Sequence, residues 1–202
     1  MRGSLPRAWR WGALLWLAFW VPAYATTWGW RNFLALCDVA VLLGCVGIAR
    51  SSRLLVASQA LPAVVAGALW TADVAARLTI GRHIFGGTEY MWDSGATLAV
   101  RLMSSFHLVL PVVLVLAVLR LGYHRRALVL QVGITLVLLV AARLAAPGAN
   151  INYAFRDPLF HRALGPAPVH LAAILAGTVI LIYLPTHLVL RRVRSPDGSK
   201  PP

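Results

Sequence analysis

Apolar residues run through this chain in long blocks, broken by short polar or basic segments, rather than in alternating or amphipathic stripes. Six blocks lie at roughly 11–27, 32–49, 54–76, 95–119, 127–146 and 168–190. About 20 apolar residues in a helix cross the hydrocarbon of a bilayer, and most of these blocks approach that length. The pattern predicts an all-α polytopic membrane protein, a bundle of six transmembrane helices in a single domain over residues 1–194. The polar tail at 195–202, rich in Pro, Ser and Gly, is expected to be disordered.

The polar residues inside those blocks carry the rest of the information. In the fourth block Arg101, Ser104, His107 and Pro111 fall within a stripe about 120° wide at 100° per residue. A charge at the centre of a bilayer costs about 2.5–3.5 kcal/mol on insertion scales, so this stripe is expected to face protein or a wet cavity. Asp38, in the second block, calls either for a function or for a structural partner such as Arg101 or Asn150. Its neighbour Cys37 shares a helix face with Gly44 and reads as packing when taken alone. Asp73 with Arg77 at i+4 reads as a local ion pair, and the long Arg143 side chain as one that reaches for the interface. Gln131 and Thr135 lie toward the other end, and His187 reads as interfacial.

Two connections are too long and too aromatic to be simple turns. Residues 79–94 contain Gly86-Gly87 and Tyr90-Met91-Trp92, and suggest a segment lying in the interface as a lid. Its His83, Glu89 and Asp93 read as solvated loop residues rather than metal ligands, and no metal is expected. Residues 147–158 have turn residues at both ends and group Asn150, Asn152 and Tyr153.

Charge then orients the bundle. The formal net charge is +13, and 12 of the 19 Lys and Arg sit in the N-terminal segment, the 50–53 and 120–126 connections and the C-terminal tail. Alternate connections thus hold most of the positive charge, which places both termini in the cytoplasm of a bacterial-type inner membrane. Such flanking charge is topogenic, and no nucleic-acid partner is expected. Mean hydropathy of +0.74, with 59% hydrophobic and 12% charged residues, agrees with a membrane protein. Two cysteines eight residues apart, Cys37 and Cys45, give neither a disulfide framework nor a zinc pattern. The first block, with Ala23-Tyr24-Ala25 at its end, also has the form of a cleavable signal peptide, but is read as an uncleaved helix.

By depth, Cys37, Asp38, Asp73, Arg101, Ser104, His107, Asn150, Asn152, Tyr153 and His170 all belong to the outer half. The order of marks along the chain resembles the YwaF-like six-helix membrane family, distantly similar to the androgen-induced-protein group. They are Leu34-Ala35-Leu36-Cys37-Asp38, Gly87-Thr88 with Asp93, Ser105-Phe106-His107, Asn152-Tyr153-Ala154-Phe155 and Gly165-Pro166-Ala167-Pro168. The resemblance implies an intramembrane lipid-ester hydrolase or acyltransferase. It makes Cys37 the nucleophile and His107 the base. Asp38 would orient His107 or hold Arg101, while Arg101, Ser104, Asn152 and Tyr153 would contact substrate. Ala35 stands where that family has a histidine, and Ala154 where it has a methionine.

Three readings follow. The first is acyl hydrolysis or transfer on a membrane lipid near the outer leaflet. The second is a noncatalytic lipid-binding, transport or assembly protein, acting as a homo-oligomer or with a membrane-protein partner. The third is a haem or quinone protein using His107 and His170; no cofactor is otherwise indicated.

Overall fold

In the computed structural model, residues 4–192 are described, and their regular structure is all helical with no strand among them. Eight α-helical segments form six rods: α1 Arg7–Trp28, α2 Leu36–Ala49, α3 Arg53–Ile80, α4 Leu98–Ser104 continuing as α5 Phe106–Leu121, α6 Ala127–Ala145, and α7 Ala167–Thr178 continuing as α8 Leu184–Leu190. The rods coincide with the six apolar blocks. The tail at 195–202 lies outside the described residues.

Local chemistry explains where the rods begin and end. Pro6, which has no N–H to leave unpaired, precedes α1, and the Ser52 and Thr97 side chains accept from the first-turn amides of Leu55 in α3 and Val100 in α4. Gly81 ends α3 at φ +72°, a left-handed conformation that favours glycine. A π turn at Val179–Tyr183 joins α7 to α8 just before Pro185. Pro185 cannot donate to the carbonyl one turn back, and the widened turn accommodates that loss.

Four rods are long and apolar enough to cross a membrane: Arg53–Ile80, Leu98–Leu121, Ala127–Ala145 and Ala167–Leu190. The 14-residue α2 is apolar but shorter, and α1, at 22 residues, is long but less apolar. Packing makes α3 the central rod, in contact with α2, α5, α6 and α8, while α1 covers α2 and α7 lies on α6. Trp20, Val41, Leu61, Leu114 and Tyr183 are fully buried at the centre. Trp20 stacks on Tyr24 at 4.4 Å and both belong to this core, so α1 is an integral wall of the bundle through the Ala23-Tyr24-Ala25 segment.

The described acids, unlike the arginines, are confined to one end; Arg31, Arg77, Arg82, Arg101, Arg143, Arg156 and Arg162 share that end with them. At one end lie Arg7, Arg10, Arg50, Arg53, Arg120, Arg125, Arg126, Arg191 and Arg192, with no acid among the described residues. All five described acids, Asp38, Asp73, Glu89, Asp93 and Asp157, belong to the other end. Contacts such as Arg10 Nε donating to the Ala49 carbonyl at 2.7 Å, and Arg120 over the Trp9 ring at 4.6 Å, hold the basic end together.

The interior between the ends is less apolar than the sequence suggests. Gln59 Nε2 donates to Gln131 Oε1 at 3.1 Å, and Thr135 and Tyr183 pair their hydroxyls at 2.7 Å. Gln59 and Gln131 sit 72 positions apart on α3 and α6, so spacing along the sequence does not reveal the pair.

Candidate functional site at the acidic end

Most of the polar residues at the acidic end hold connecting segments onto helix ends. Asp73, fully buried on α3, is the largest such staple. One carboxylate oxygen accepts from the Ile84 and Phe85 amides, each at 2.7 Å, and from Gly86 at 3.2 Å. The other takes His83 Nδ1 at 2.9 Å and the Thr88 hydroxyl. This carboxylate therefore folds residues 83–88 around itself. The expected Asp73–Arg77 ion pair does not form: Arg77 donates to the Gly81 carbonyl and lies over Trp92. Nor is His83 a solvated loop residue, since it bonds Asp73 and packs edge-on to Trp92.

The 147–158 connection is stapled in the same way. Asn152 accepts from the Leu36 amide at 2.8 Å and donates to the Leu34 carbonyl at 2.7 Å, so it clamps the entry to α2. Its positive φ of 55° is a conformation asparagine tolerates better than most residues. Asn150 caps the Phe155 and Arg156 amides, and so does not reach Asp38. Arg143 turns inward to donate to the Ala154 carbonyl at 2.8 Å and stacks over Phe155, so it braces this loop instead of reaching for the interface. Asp157 accepts from the Leu159, Phe160 and Arg162 amides. Burial would raise its pKa, but these N–H donors outweigh that and hold the carboxyl below its ordinary range.

His170 is committed on both nitrogens. Its Nε2–H donates to the Tyr153 carbonyl at 2.9 Å, and its Nδ1 accepts from the Leu164 amide at 3.1 Å. A histidine that spends both nitrogens on backbone has none left for a metal, which removes it as the haem ligand paired with His107. Among the described residues no group of three His, Cys, Asp or Glu could hold a metal ion.

The remaining cluster centres on Cys37, Asp38 and His107. Asp38 is fully buried; the Tyr24 hydroxyl donates to one of its oxygens at 2.7 Å and the Cys37 thiol to the other at 3.8 Å. Asn32 donates in turn to the Tyr24 hydroxyl at 2.8 Å. Tyr24, 14 positions away, is therefore the partner of Asp38, in place of Arg101 or His107. Arg101 is exposed on α4, not turned to a buried partner or a wet cavity as expected, while Ser104, three residues on, is buried. Ser104 spends its hydroxyl on the Val100 carbonyl at 2.9 Å.

His107 lies half-buried between two rings, stacked on Trp70 at 5.1 Å and on Phe106 at 4.0 Å. Its Nδ1 meets the Ser104 carbonyl at 2.9 Å, and since a carbonyl only accepts, the proton is on Nδ1. Nε2 then carries an open lone pair. Tyr90 belongs to the same region, its hydroxyl facing Ser104 and Trp70, and burial raises its phenol. The buried Trp70 Nε1–H itself closes no hydrogen bond. Tyr153 borders the same cluster, its phenol raised chiefly by burial, with the Glu89 carboxylate adding to the rise. Sequence reasoning placed Cys37, Asp38, Ser104, His107 and Tyr153 here but missed Tyr24, Trp70 and Tyr90. Only the grouping of aromatics near span ends hinted at them.

Cys37 and His107 share this region without touching: among the described residues the thiol's hydrogen-bond partner is Asp38. No protein-family model, curated protein or solved structure matches the chain.

Proposed function

We propose that the chain is a six-crossing membrane protein, its basic end in the cytoplasm, that recognises a lipid headgroup or ester at its acidic end without cleaving it. Four long apolar rods support membrane residence, and the excess of Lys and Arg, 12 of 19, in the N-terminal segment, the 50–53 and 120–126 connections and the C-terminal tail supports the orientation. The observation that carries the recognition reading is the hydrogen bond from the Cys37 thiol to Asp38. The attacking species is the thiolate, which a neighbouring cation or imidazolium favours and a neighbouring carboxylate disfavours by like charge. Asp38 is in contact with the thiol here and His107 is not. What stays unspent is a set suited to recognition: the His107 Nε2 lone pair and the Tyr90 and Tyr153 hydroxyls, framed by Trp28, Trp70 and Phe106.

The open Nε2 of His107 also favours a second reading, in which the chain is an acyl hydrolase or transferase of the kind the YwaF-like resemblance implies. Closure of Tyr90 and the 81–97 segment over a bound ester would then have to bring His107 to Cys37, as catalytic contacts often tighten only in a complex. Labelling of membranes with a thiol- and ester-reactive acyl probe separates the two. Recognition alone predicts that any labelling of Cys37 is unchanged in His107→Ala at matched expression. Labelling lost in both Cys37→Ala and His107→Ala would establish the enzyme instead.

A further inference from the structure

Between α1 and α5, over a floor made by α2, runs an open groove of about 490 Å³. Trp9, Gly12 and Trp16 form one wall at helical spacing, Cys45 lies in the floor, and Phe106 and Leu116 mark the two ends of the other wall. From Phe106 to Leu116 the wall rises about 15 Å at 1.5 Å per residue, half of a hydrocarbon core of about 30 Å. The groove is thus about as long as one leaflet is deep. It is lined almost wholly by apolar atoms, and its lower mouth lies at the basic end. There Arg120, one turn beyond Leu116, rests over Trp9, and Arg10 is fixed beside the mouth by its bond to Ala49. Both arginines are exposed, and no carboxylate is present at this end among the described residues.

We infer that this groove holds one acyl chain of an anionic phospholipid drawn from the leaflet at the basic end, with the phosphate against Arg10 and Arg120. The inference rests on the membrane residence proposed above but not on the cluster around Cys37 and His107, from which Phe106 separates the groove. A chain-length slot continuous with the lipid gains nothing by staying empty, since its walls would lose dispersion contacts on one side. Two guanidiniums at the mouth supply what a zwitterionic lipid does not need and an anionic one does. Arginine also matches phosphate geometry through paired N–H donors.

Gly12 provides the test. Gly12 lines the groove and a Cβ built there meets nothing within 4 Å, so the ring of Gly12→Phe is expected to occupy the space an acyl chain would take. The full chain, purified in detergent, is titrated with phosphatidylglycerol, phosphatidylcholine or inorganic phosphate while thermal unfolding is followed. Phosphatidylglycerol is expected to bind more tightly than phosphatidylcholine, and inorganic phosphate to have no effect. Arg10→Gln with Arg120→Gln should erase a preference of roughly thirty-fold, Arg120→Lys should retain most of it, and Gly12→Phe should abolish the response to both lipids. Equal response to the two lipids, an undiminished response in Gly12→Phe, or stabilisation by free phosphate alone would overturn the inference. So would a change from dimer to monomer in Gly12→Phe, which would give the groove to a second copy of the chain. Recovery of the native protein in the soluble fraction after lysis would instead overturn membrane residence itself, whatever the lipid result.

Discussion

The close approach of α3 to α5 makes Gly67→Ala the sharpest test of the packing that positions His107. A Cβ on Gly67 would fall well inside contact distance of the His107 carbonyl oxygen and of Pro111 Cγ, and 3.5 Å from Pro111 Cδ. Neither close neighbour is the end of a flexible side chain: one is backbone and the other a ring locked to it. The pairing is specific, because Pro111 has no N–H and so cannot occupy the His107 carbonyl from within α5. To restore contact near 3.5 Å the two helices must separate by about an ångström. Overpacking of this kind costs typically 1–3 kcal/mol, and rigid neighbours put the cost near 3. Replacing a helical glycine by alanine returns about 0.5–1 kcal/mol. The net expectation is a loss of about 2 kcal/mol, or roughly 4–8 °C in Tm for a chain of this size. Gly133→Ala on α6 is the control, since its Cβ meets nothing within 4 Å and only the helix gain remains. Thermal unfolding in one detergent compares the two. If Gly67→Ala melts no lower than Gly133→Ala, the α3–α5 contact described here is wrong.

Other expectations follow from the staples at the acidic end. Tyr24→Phe removes a donor from a buried carboxyl and should cost about 1.5–3 kcal/mol by thermal unfolding; the loss should shrink in an Asp38→Asn background, because the two residues act through one bond. Asp73→Ala leaves the Ile84, Phe85 and Gly86 amides without their acceptor, so protease cleavage within 81–88 should rise sharply while the rest of the bundle stays resistant. Asp157 has a lowered folded pKa, so its contribution is present above the unfolded value near 3.9 and is lost as pH falls through the folded value. Protection of the Phe160 and Arg162 amides, corrected for the intrinsic pH dependence of exchange, should therefore fall below about pH 4, and protection that is flat from about pH 6 to 3 would count against this staple.

The rods were legible in the sequence because each is an apolar run ended by proline, glycine or charge, and those signals are local. The partners of the polar residues were not, because they are set by how rods pack. Asp38 was rightly marked as a residue needing a partner, yet nothing along the chain points to Tyr24 rather than Arg101. Asn152 was placed in the outer half as a substrate contact, but its clamp on Leu34 and Leu36 joins segments more than 100 positions apart. Arg101 was misjudged because a shared stripe does not mean shared cover: Ser104, three residues on in the same α4, is buried, while Arg101, nearer the helix start, is exposed. Arg143 was misjudged for a different reason: a long side chain can reach toward water or toward a loop carbonyl with the same stem.

Everything proposed at either end depends on which side of the membrane that end faces. Single cysteines placed at Ser52, His124, Gly95 and Gly148 in a chain with Cys37 and Cys45 replaced by alanine, probed in intact cells with a membrane-impermeant maleimide, test this directly. The account predicts labelling at Gly95 and Gly148, and at Ser52 and His124 only after the cells are opened. Labelling of Ser52 or His124 in intact cells, or the same reactivity at all four positions, would contradict it.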